Sequence, residues 1–442
     1  MNFLEQVREA GIVGAGGAGF PAHVKLDTQT EYLIANGAEC EPLLRSDRHI
    51  MEKNAQDIVR AMKAISEQTG AKKLVIATKG HYQKAVTALR KAVDGTNITL
   101  HLMKSTYPSG DEQTLVYDIT GRVVPLGGLP LDVKTVVSNV ATLVNIAGAL
   151  DGKPVTEKTV TVSGAVKNPV TLEVPIGTPI AALIEAAGGF ESGSPDDYEV
   201  IVGGPLMGTP AFSLDEPVTK TTGGLLPLPK GHKLLLYKKI NMNRQAKLAK
   251  AVCCQCSFCT QLCPRAILGL GVAPHKAMRA ISAENGKILG DYNVIFGCCE
   301  CGICSYYACN FDLSPHMVMA NFKKALIKEG IKAGKEKAGP MDPGIETKKI
   351  PLKRLLSRLA LSKYDRDAPL VPFTQKVPEL TIPLKMHIGT PCKTVVEKGA
   401  IVKKGTLIAV PQGLGATIHA PLDGTVKSIT ADTLVLQTEH NV

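Results

Sequence analysis

The sequence contains no tryptophan, and aromatic residues make up only 4% of its 442 residues. Proteins that bind single-stranded nucleic acid stack bases on exposed aromatic rings, so this scarcity argues against a nucleic-acid partner. No run of about 18 consecutive apolar residues is present, so we expect no transmembrane span. The first residues, MNFLEQVREAG, include acids and no apolar run. We therefore expect no secretory signal and a cytoplasmic, reducing location.

The charge is strongly positive, with a formal net charge of +11. Such a surplus suits an anionic partner in principle. Much of it falls between Lys323 and Arg366, however, and we interpret it as a basic linker. The chain is too long for one compact core, so its length predicts two to four domains.

Twelve cysteines are unexpected in a reducing compartment, and ten of them lie in two short windows. The windows read CCQCSFCTQLCP (253–264) and CCECGICSYYAC (298–309). The first has the C-x2-C-x2-C-x3-C-P spacing of bacterial ferredoxins, and the second reads C-x2-C-x2-C-x4-C. Zinc knuckles, the alternative, also use C-x2-C pairs but need no third cysteine followed by Cys-Pro. The spacing predicts two [4Fe–4S] clusters with eight ligands, namely Cys253, Cys256, Cys259, Cys263, Cys298, Cys301, Cys304 and Cys309.

The fourth cysteine of each run is expected to bind the cluster of the other run, as in two-cluster ferredoxins. Cys309 would then bind the same cluster as the first three cysteines of window 253–264. Cys263 would bind the same cluster as the first three cysteines of window 298–309. Cys309 departs most from the pattern, because its gap is longer and no proline follows it. Cys254 and Cys299 make the register ambiguous by one residue, although the C-x2 spacing favours Cys253 and Cys298.

A glycine-rich loop, GAGGAG (14–19), matches the pattern G-x-G-x-x-G. In a dinucleotide-binding Rossmann fold this pattern follows a strand and opens a helix. Here apolar residues recur at helical spacing between Phe3 and Ala10, so a helix precedes the loop, and Pro21 interrupts the segment after it. The loop still suits a phosphate-bearing cofactor, with a simple packing turn as the alternative. Downstream, an apolar strand ends in NGAECEP (36–42), whose two glutamates we expect beside the loop.

The segments GAGGAGFPAHVKL and NGAECEP together resemble the flavin- and NADH-binding subunit of respiratory complex I and, more closely, its RnfC relatives. The resemblance implies a site for FMN and NADH, with Phe20 stacked near the nicotinamide. Ala15 and Ala38 stand where the complex I pattern has an Arg and an Asp. This difference weakens the expectation of NADH binding more than that of flavin binding. The matching positions are Gly14, Gly16, Gly17, Gly19 and Lys25; Asn36, Glu39 and Glu41; Tyr107 and Glu112; and Ser138, Asn139 and Thr142.

The expected fold class is multidomain α/β and α+β. Residues 1–150 would form the FMN/NADH domain, and residues 154–235 resemble the SLBB β-grasp domain of the same superfamily. Residues 245–325 would form a ferredoxin-like domain with both clusters. Residues 373–442 resemble a barrel-sandwich domain of biotinyl/lipoyl type. This last module lacks the Met-Lys-Met setting of a modifiable lysine, so we expect no covalent biotin or lipoate.

Residues 326–372 are expected to form a basic helical linker. Within it, IPLKRLLSRLALSKYD (350–365) places leucines on one helical face and basic residues on the other. Such a helix suits a membrane surface. We favour the alternative that it packs on its own protein.

The module order resembles that of the cobalamin reductases of propanediol-utilising microcompartments, since the barrel-sandwich module follows the flavin domain. The resemblance implies an NADH-dependent oxidoreductase in a bacterial microcompartment. Such an enzyme reduces cob(III)alamin to cob(II)alamin and cob(I)alamin through FMN and the clusters, and supplies an adenosyltransferase that regenerates adenosylcobalamin. Because corrin reduction is electron transfer, we expect no catalytic residue that attacks the corrin.

Two other functions remain open at this point. One is an RnfC-like subunit of an NADH:ferredoxin oxidoreductase complex in a membrane. The other is a structural component of a protein shell whose clusters connect its partners without flavin. The sequence does not predict the oligomeric state or the corrin-binding surface.

Overall fold

The structure is a computed structural model and describes residues 1–438. The last four residues of the domain expected at 373–442 lie outside this range. The described chain contains the flavin-subunit-like α/β domain, the β-grasp, the cluster domain and the barrel-sandwich that the sequence predicts.

The N-terminal domain is a four-stranded parallel sheet, in the order β3-β2-β1-β5, with helices on its faces. Its strands are nearly continuous apolar segments, as parallel strands buried on both faces require. The elements are α1 (Phe3–Glu9), α2 (Ala22–Leu26), β1 (Tyr32–Gly37), α3 (Ser46–Lys53), α4 (Ala55–Thr69), β2 (Lys73–Lys79), α5 (Gln83–Val93), β3 (Ile98–Met103), β4 (Thr106–Tyr107), α6 (Glu112–Thr120), a 3-10 turn (Pro130–Val133), β5 (Thr135–Asn139) and α7 (Val140–Leu150).

The helix predicted before the glycine loop is α1. It begins with a capping box, in which Asn2 Oδ1 accepts the Glu5 N–H at 2.9 Å and the Glu5 carboxylate accepts the Asn2 N–H at 2.9 Å. Val7 faces the core and is fully buried. The loop therefore leaves a helix rather than a strand, unlike the Rossmann arrangement.

The second domain is built on a six-stranded mixed sheet in the order β12-β7-β6-β10-β8-β9. Its hairpin and helix follow the sequence prediction, and Gly188 and Gly189 after the helix have φ near +80°. The elements are β6 (Glu157–Val162), β7 (Val170–Pro175), α8 (Ile180–Ala186), a 3-10 turn (Pro195–Asp197), β8 (Tyr198–Val202), β9 (Thr209–Pro210), β10 (Gly224–Pro229) and α9 (Lys233–Lys238).

The cluster domain is helical and has its own small core, which includes the buried Met278 and Val318. Each cysteine window begins in an irregular segment and continues into a short helical turn. The elements are α10 (Met242–Val252), α11 (Phe258–Gln261), α12 (Pro264–Ile267), α13 (Pro274–Ser282), a 3-10 turn (Gly286–Leu289), α14 (Asn293–Phe296), a π-helical turn (Cys304–Ala308) and α15 (Pro315–Lys328).

The segment 326–372 contains less helix than the predicted helical linker, because it runs extended across the other domains. One of its strands pairs with β4 of the flavin domain, and another adds to the β-grasp sheet beside β7. Its elements are α16 (Ile345–Lys348), β11 (Ile350–Pro351), α17 (Leu352–Arg358), a 3-10 turn (Ser362–Tyr364) and β12 (Leu370–Val371).

The amphipathic helix α17 packs on the protein itself. Leu355, Leu356 and Leu359 are at most 2% exposed and lie in the core shared with the β-grasp and cluster domains. Its apolar face is thus already covered, which answers the alternative of a membrane surface. Within residues 1–438, no helix combines the length and apolar character needed to cross a membrane.

The C-terminal domain consists of two antiparallel sheets, in the orders β13-β19-β18-β15 and β14-β16-β17. It is joined to the rest by Lys220 of the β-grasp domain, whose buried Nζ donates to Gly11 O at 2.6 Å and to Thr417 O at 2.7 Å. The strands are β13 (Glu379–Pro383), β14 (Cys392–Thr394), β15 (Ile401–Val402), β16 (Leu407–Pro411), β17 (Ile418–His419), β18 (Gly424–Ile429) and β19 (Thr433–Thr438).

Candidate functional site

The candidate flavin site lies at the carboxyl edge of the parallel sheet. Asn36 at the end of β1 pairs in register with Asn139 at the end of β5, and Lys79 ends the adjacent strand β2. The chain places β2 and β3 on one side of β1 and later places β5 on its other side, so this edge is a topological switch point. Ligands of open α/β sheets bind at such points.

The glycine loop is held against α7 at this edge. The Ala15 N–H donates to Thr142 Oγ1 at 2.9 Å, and the buried Lys158 Nζ donates to Ala15 O at 2.6 Å. A Cβ on Gly16 would lie 3.2 Å from Asn139 Cβ, so the loop approaches the helix closely. Gly17 has a φ of +114° and open space around it. A fixed loop with an open outer side fits a bound phosphate group.

Glu39 is the most unusual predicted residue of the site. It has a φ of +40° and is 6% exposed. Its Oε1 accepts the Asp47 N–H at 2.9 Å, whereas its buried Oε2 has no partner among the described residues. Burial, together with the nearby Asp47 carboxylate, raises the pKa of Glu39 to about 7. A buried acceptor without a donor fits a cofactor that brings a hydroxyl or N–H group.

Three charged residues that were not predicted from the sequence complete the buried hydrogen-bond network around Glu39. Asp47 accepts from Asn139 Nδ2 at 2.9 Å, and burial raises the pKa of its carboxyl to about 6. Lys79 Nζ donates to Glu39 O at 3.0 Å, and burial lowers the pKa of Lys79. Lys158 is the third. The signal that was available for Lys79 is its place at the end of an apolar strand, LVIATK.

Some of the other predicted residues lie at the strand ends beside this network, and others lie at the open rim of the site. Asn36 Nδ2 donates to Gly110 O at 3.0 Å, which ties the strand end to the Tyr/Gly/Glu segment. Ser138 is buried next to Asn139. Lys25 and Glu112 form an ion pair of 2.8 Å in which each side chain is about a third exposed. These two side chains therefore lie at the open rim of the site.

Glu41 and Tyr107 do not line the open site as the resemblance implied. Glu41 Oε2 accepts the Leu206 N–H at 2.7 Å, and its Oε1 accepts from the Tyr107 hydroxyl at 3.3 Å. This hydroxyl has a single proton, and its shorter bond is the one to Cys301 O at 2.8 Å. Both oxygens of Glu41 thus have partners in the protein. The two residues form a joint between the flavin, β-grasp and cluster domains.

Three cysteines of the first window lie near the last cysteine of the second, as the predicted first cluster site requires. Burial raises the pKa of the Cys259 thiol to about 12, and the neighbouring thiols of Cys309, Cys253 and Cys256 add to this effect. The site reaches the surface, because Cys256 is exposed and the other three are partly exposed.

The thiols of the second predicted cluster site also lie near one another, with Cys263 among them. Burial raises the pKa of the Cys298 thiol to about 12, with a contribution from the nearby Cys263. Cys304 also faces Cys298 and Cys263, and the pKa of its thiol is raised for the same reasons. Cys263, Cys301 and Cys304 are at most 8% exposed. Four thiolates this close and this buried repel one another unless a metal centre compensates their charge, so the set fits a bound cluster.

The two windows have equivalent backbone conformations. Gln255 and Ser257 have positive φ two and four residues after Cys253, and Glu300 and Gly302 have positive φ two and four residues after Cys298. Such left-handed residues turn successive N–H groups toward one point, which favours an anionic cluster. Among residues 1–438 no group of three or more side chains is arranged for a single metal ion. In a cubane each thiolate binds a different iron atom.

The two additional cysteines differ in their surroundings. Cys254 is exposed. Cys299 lies within the second site, where a hydrogen bond from the Cys301 thiol lowers its pKa. The shared backbone pattern makes Cys253 and Cys298 the equivalent first cysteines of the two windows.

Comparison with protein families assigns a known domain to four segments of the chain. Residues 7–148 match the Nuo51 FMN-binding domain, and residues 159–210 match the SLBB domain. Residues 252–314 match the 4Fe-4S dicluster domain, and residues 363–441 match the RnfC barrel sandwich hybrid domain. The protein is therefore an oxidoreductase whose cofactors are FMN and two [4Fe–4S] clusters.

Relatives of known name resemble the chain over nearly its whole length. Cobalamin reductase PduS of Citrobacter freundii is 40% identical over 439 residues, which cover 98% of this chain and 95% of the relative. The protein of the same name from Salmonella typhimurium is 41% identical over 440 residues, with the same coverage. One subunit of the Na(+)-translocating ferredoxin:NAD(+) oxidoreductase complex of Acetobacterium woodii is 38% identical, but the match covers 61% of this chain and 59% of that subunit. The chain belongs to the PduS family of cobalamin reductases.

Proposed function

We propose that the protein reduces cobalamin with electrons from NADH, taking cob(III)alamin to cob(II)alamin and cob(I)alamin. The observation that best supports this is the joint at Tyr107, whose hydroxyl donates to Cys301 O at 2.8 Å. It attaches the second cluster site directly to the flavin domain. A protein whose clusters merely connect partners has no need for such an attachment or for the buried acids beside the glycine loop.

The residues of the sheet edge would hold FMN and receive NADH. The glycine loop, which Thr142 holds against α7, binds phosphate. Asn36, Ser138 and Asn139 lie at the strand ends, and Lys25 and Glu112 stand at the entrance. Bound FMN accepts two electrons from a hydride donor and passes them on singly. Phe20, which is half-buried beside the loop, offers the ring surface for the nicotinamide.

Glu39 and Asp47 can hold a proton beside this site near neutral pH. Their pKa values are raised to about 7 and about 6, mainly by burial. The two carboxyls act as a coupled pair, because each raises the cost of ionising the other. We assign them the task of balancing charge when the flavin changes its redox state.

The electrons would then reach the second cluster site before the first. Three of the four cysteines of the second site are buried and the site is bonded to the flavin domain, whereas the first site is open to solvent at Cys256. A large acceptor such as a corrin can approach only an exposed site. We therefore place the exit of electrons at the first cluster site.

The family name also suggests a cellular context. We propose that the product serves an adenosyltransferase that rebuilds adenosylcobalamin, and that the protein works with microcompartment proteins in propanediol degradation. The corrin takes up electrons without a covalent bond to the protein, so the proposal assigns no catalytic side chain to it.

The proposal is tested with anaerobically purified protein. An absorbance spectrum should show releasable FMN together with the broad iron–sulfur band, and a cluster band without FMN would refute the reductase. NADH oxidation is then compared with cob(III)alamin and with ferredoxin as acceptors. Faster oxidation with cob(III)alamin supports the proposal, while turnover with ferredoxin alone would favour an RnfC-like role.

A further inference from the structure

Arg265 lies between the flavin domain and the second cluster site. It follows the Cys263-Pro264 pair at the start of α12, and its Nη2 donates to Asp111 Oδ1 at 2.6 Å. The side chains of Arg265 and Asp111 are 9% and 10% exposed. Ion pairs buried to this degree are rare, since desolvating two charges is costly.

Asp111 connects this pair to the flavin site. Its Oδ2 accepts the Thr114 N–H at 3.1 Å and caps α6, the helix that begins with Glu112. Asp111 also follows Gly110, whose carbonyl accepts the Asn36 amide. The pair therefore joins the backbone beside the flavin to the backbone beside the cluster.

The rest of the guanidinium faces sulfur. Arg265 lies close to the Cys299 thiol, which in turn adjoins Cys263 and Cys298. Its Nε is buried and has no hydrogen-bond partner among the described residues. Buried N–H donors are nearly always paired. An unpaired donor next to a set of thiols is explained if a sulfur of the bound cluster accepts from it.

We propose that Arg265 donates through Nε to a sulfur of the second cluster and raises the reduction potential of that cluster, with Asp111 holding the guanidinium in place. The role rests on the proposed electron route from flavin to the second cluster. When one electron passes along this route, the cluster gains one negative charge beside a fixed positive charge. No bond to Arg265 forms or breaks, and no proton moves. Hydrogen bonds and net charge near the sulfurs are known to set such potentials.

The test is a redox titration of the complete protein followed by electron paramagnetic resonance. Arg265→Gln removes the charge, so the midpoint potential of one cluster should fall by at least the equivalent of a tenfold change, about 59 mV for one electron. Asp111→Asn keeps one side-chain oxygen to accept from Arg265 Nη2 but removes the compensating negative charge, so the same midpoint should rise. The other cluster should keep its midpoint in both variants.

Arg60→Gln serves as the matched control, because Arg60 pairs with Asp151 at 2.7 Å on the surface of the flavin domain. It should leave both midpoints unchanged. The inference is overturned if the iron content is intact and neither variant shifts a midpoint, or if both shift it in the same direction. If Arg265→Gln loses its clusters, Asp111→Asn still decides the matter. Cobalamin reduction by the wild-type protein is measured separately, so its failure would count against the proposed function alone.

Discussion

Replacement of Tyr107 by phenylalanine removes one hydroxyl from the joint between the flavin and cluster domains. The ring is 2% exposed and packs in the core shared with Ile350 and Leu355, and phenylalanine keeps these contacts. The substitution removes the bond to Cys301 O at 2.8 Å and the weaker one to Glu41 Oε1 at 3.3 Å.

The cost depends on the acceptors that remain. The buried carbonyl of Cys301 loses a donor that water cannot easily replace. Leaving a buried acceptor unpaired costs about 1–3 kcal/mol. Because the bond is made to the loop that carries Cys301, its removal should lower the free energy of local opening of the second cluster site. At about 1.4 kcal/mol for each factor of ten, opening becomes roughly 5- to 150-fold more frequent.

The assay is the anaerobic loss of cluster absorbance in the presence of an iron chelator. In Tyr107→Phe, one of two kinetic phases should accelerate by the factor given above, and the other should not change. Tyr198→Phe is the matched control, since Tyr198 is also buried and donates to a backbone carbonyl, Ser192 O at 2.7 Å, within the β-grasp domain. Equal release rates for wild type and Tyr107→Phe would refute the role of the joint.

Three further outcomes are expected from the described contacts. Folding favours the protonated Glu39, so stability falls as the pH rises from 4.5 to about 7; Glu39→Gln should reduce this fall by about 2 kcal/mol in denaturant titrations at pH 5 and pH 8. Cys263→Ser should halve the iron bound per chain, whereas Cys254→Ser should leave it unchanged, as measured by iron analysis. Leu355→Ala opens a cavity at a fully buried position and should cost about 2–5 kcal/mol in denaturant unfolding.

The spacing of cysteines predicts much of the cluster domain because it is a local pattern. Three ligands within seven residues must lie on one turn, whatever the rest of the chain does. The reciprocal grouping with Cys263 and Cys309 is a tertiary feature, and it was expected from the ferredoxin spacing alone. The structure places these thiols accordingly, and their role as ligands remains a prediction until iron is measured.

The surroundings of the flavin site were harder to foresee. Glu39 and Glu41 are two residues apart, yet the positive φ of Glu39 turns the chain and the two carboxyls meet different partners. Asp47 and Lys158 are separated by more than a hundred residues, and only the folded chain brings them to the same network. Local patterns identify strand ends, but they do not identify buried charges whose partners are distant in sequence.

The segment 326–372 shows a similar limit. Its leucine spacing correctly indicated α17, because an amphipathic helix is encoded by neighbouring residues. Its two short strands were missed, since each consists of two residues and depends on a partner strand elsewhere. The prediction was a basic helical linker, whereas pairing with β4 and β7 makes the segment run across two other domains.

Whether electrons from NADH leave through the clusters to cobalamin is tested most directly by anaerobic spectrophotometry. Purified protein is mixed with NADH and cob(III)alamin, and both spectra are followed. The account predicts loss of NADH with about two molecules of cob(II)alamin formed for each, because a hydride carries two electrons and the clusters pass one at a time. In Cys263→Ser, NADH should still reduce the bound flavin, but little cob(II)alamin should form. Cobalamin reduction at the wild-type rate by that variant, or no NADH oxidation by protein carrying FMN and both clusters, would contradict the account.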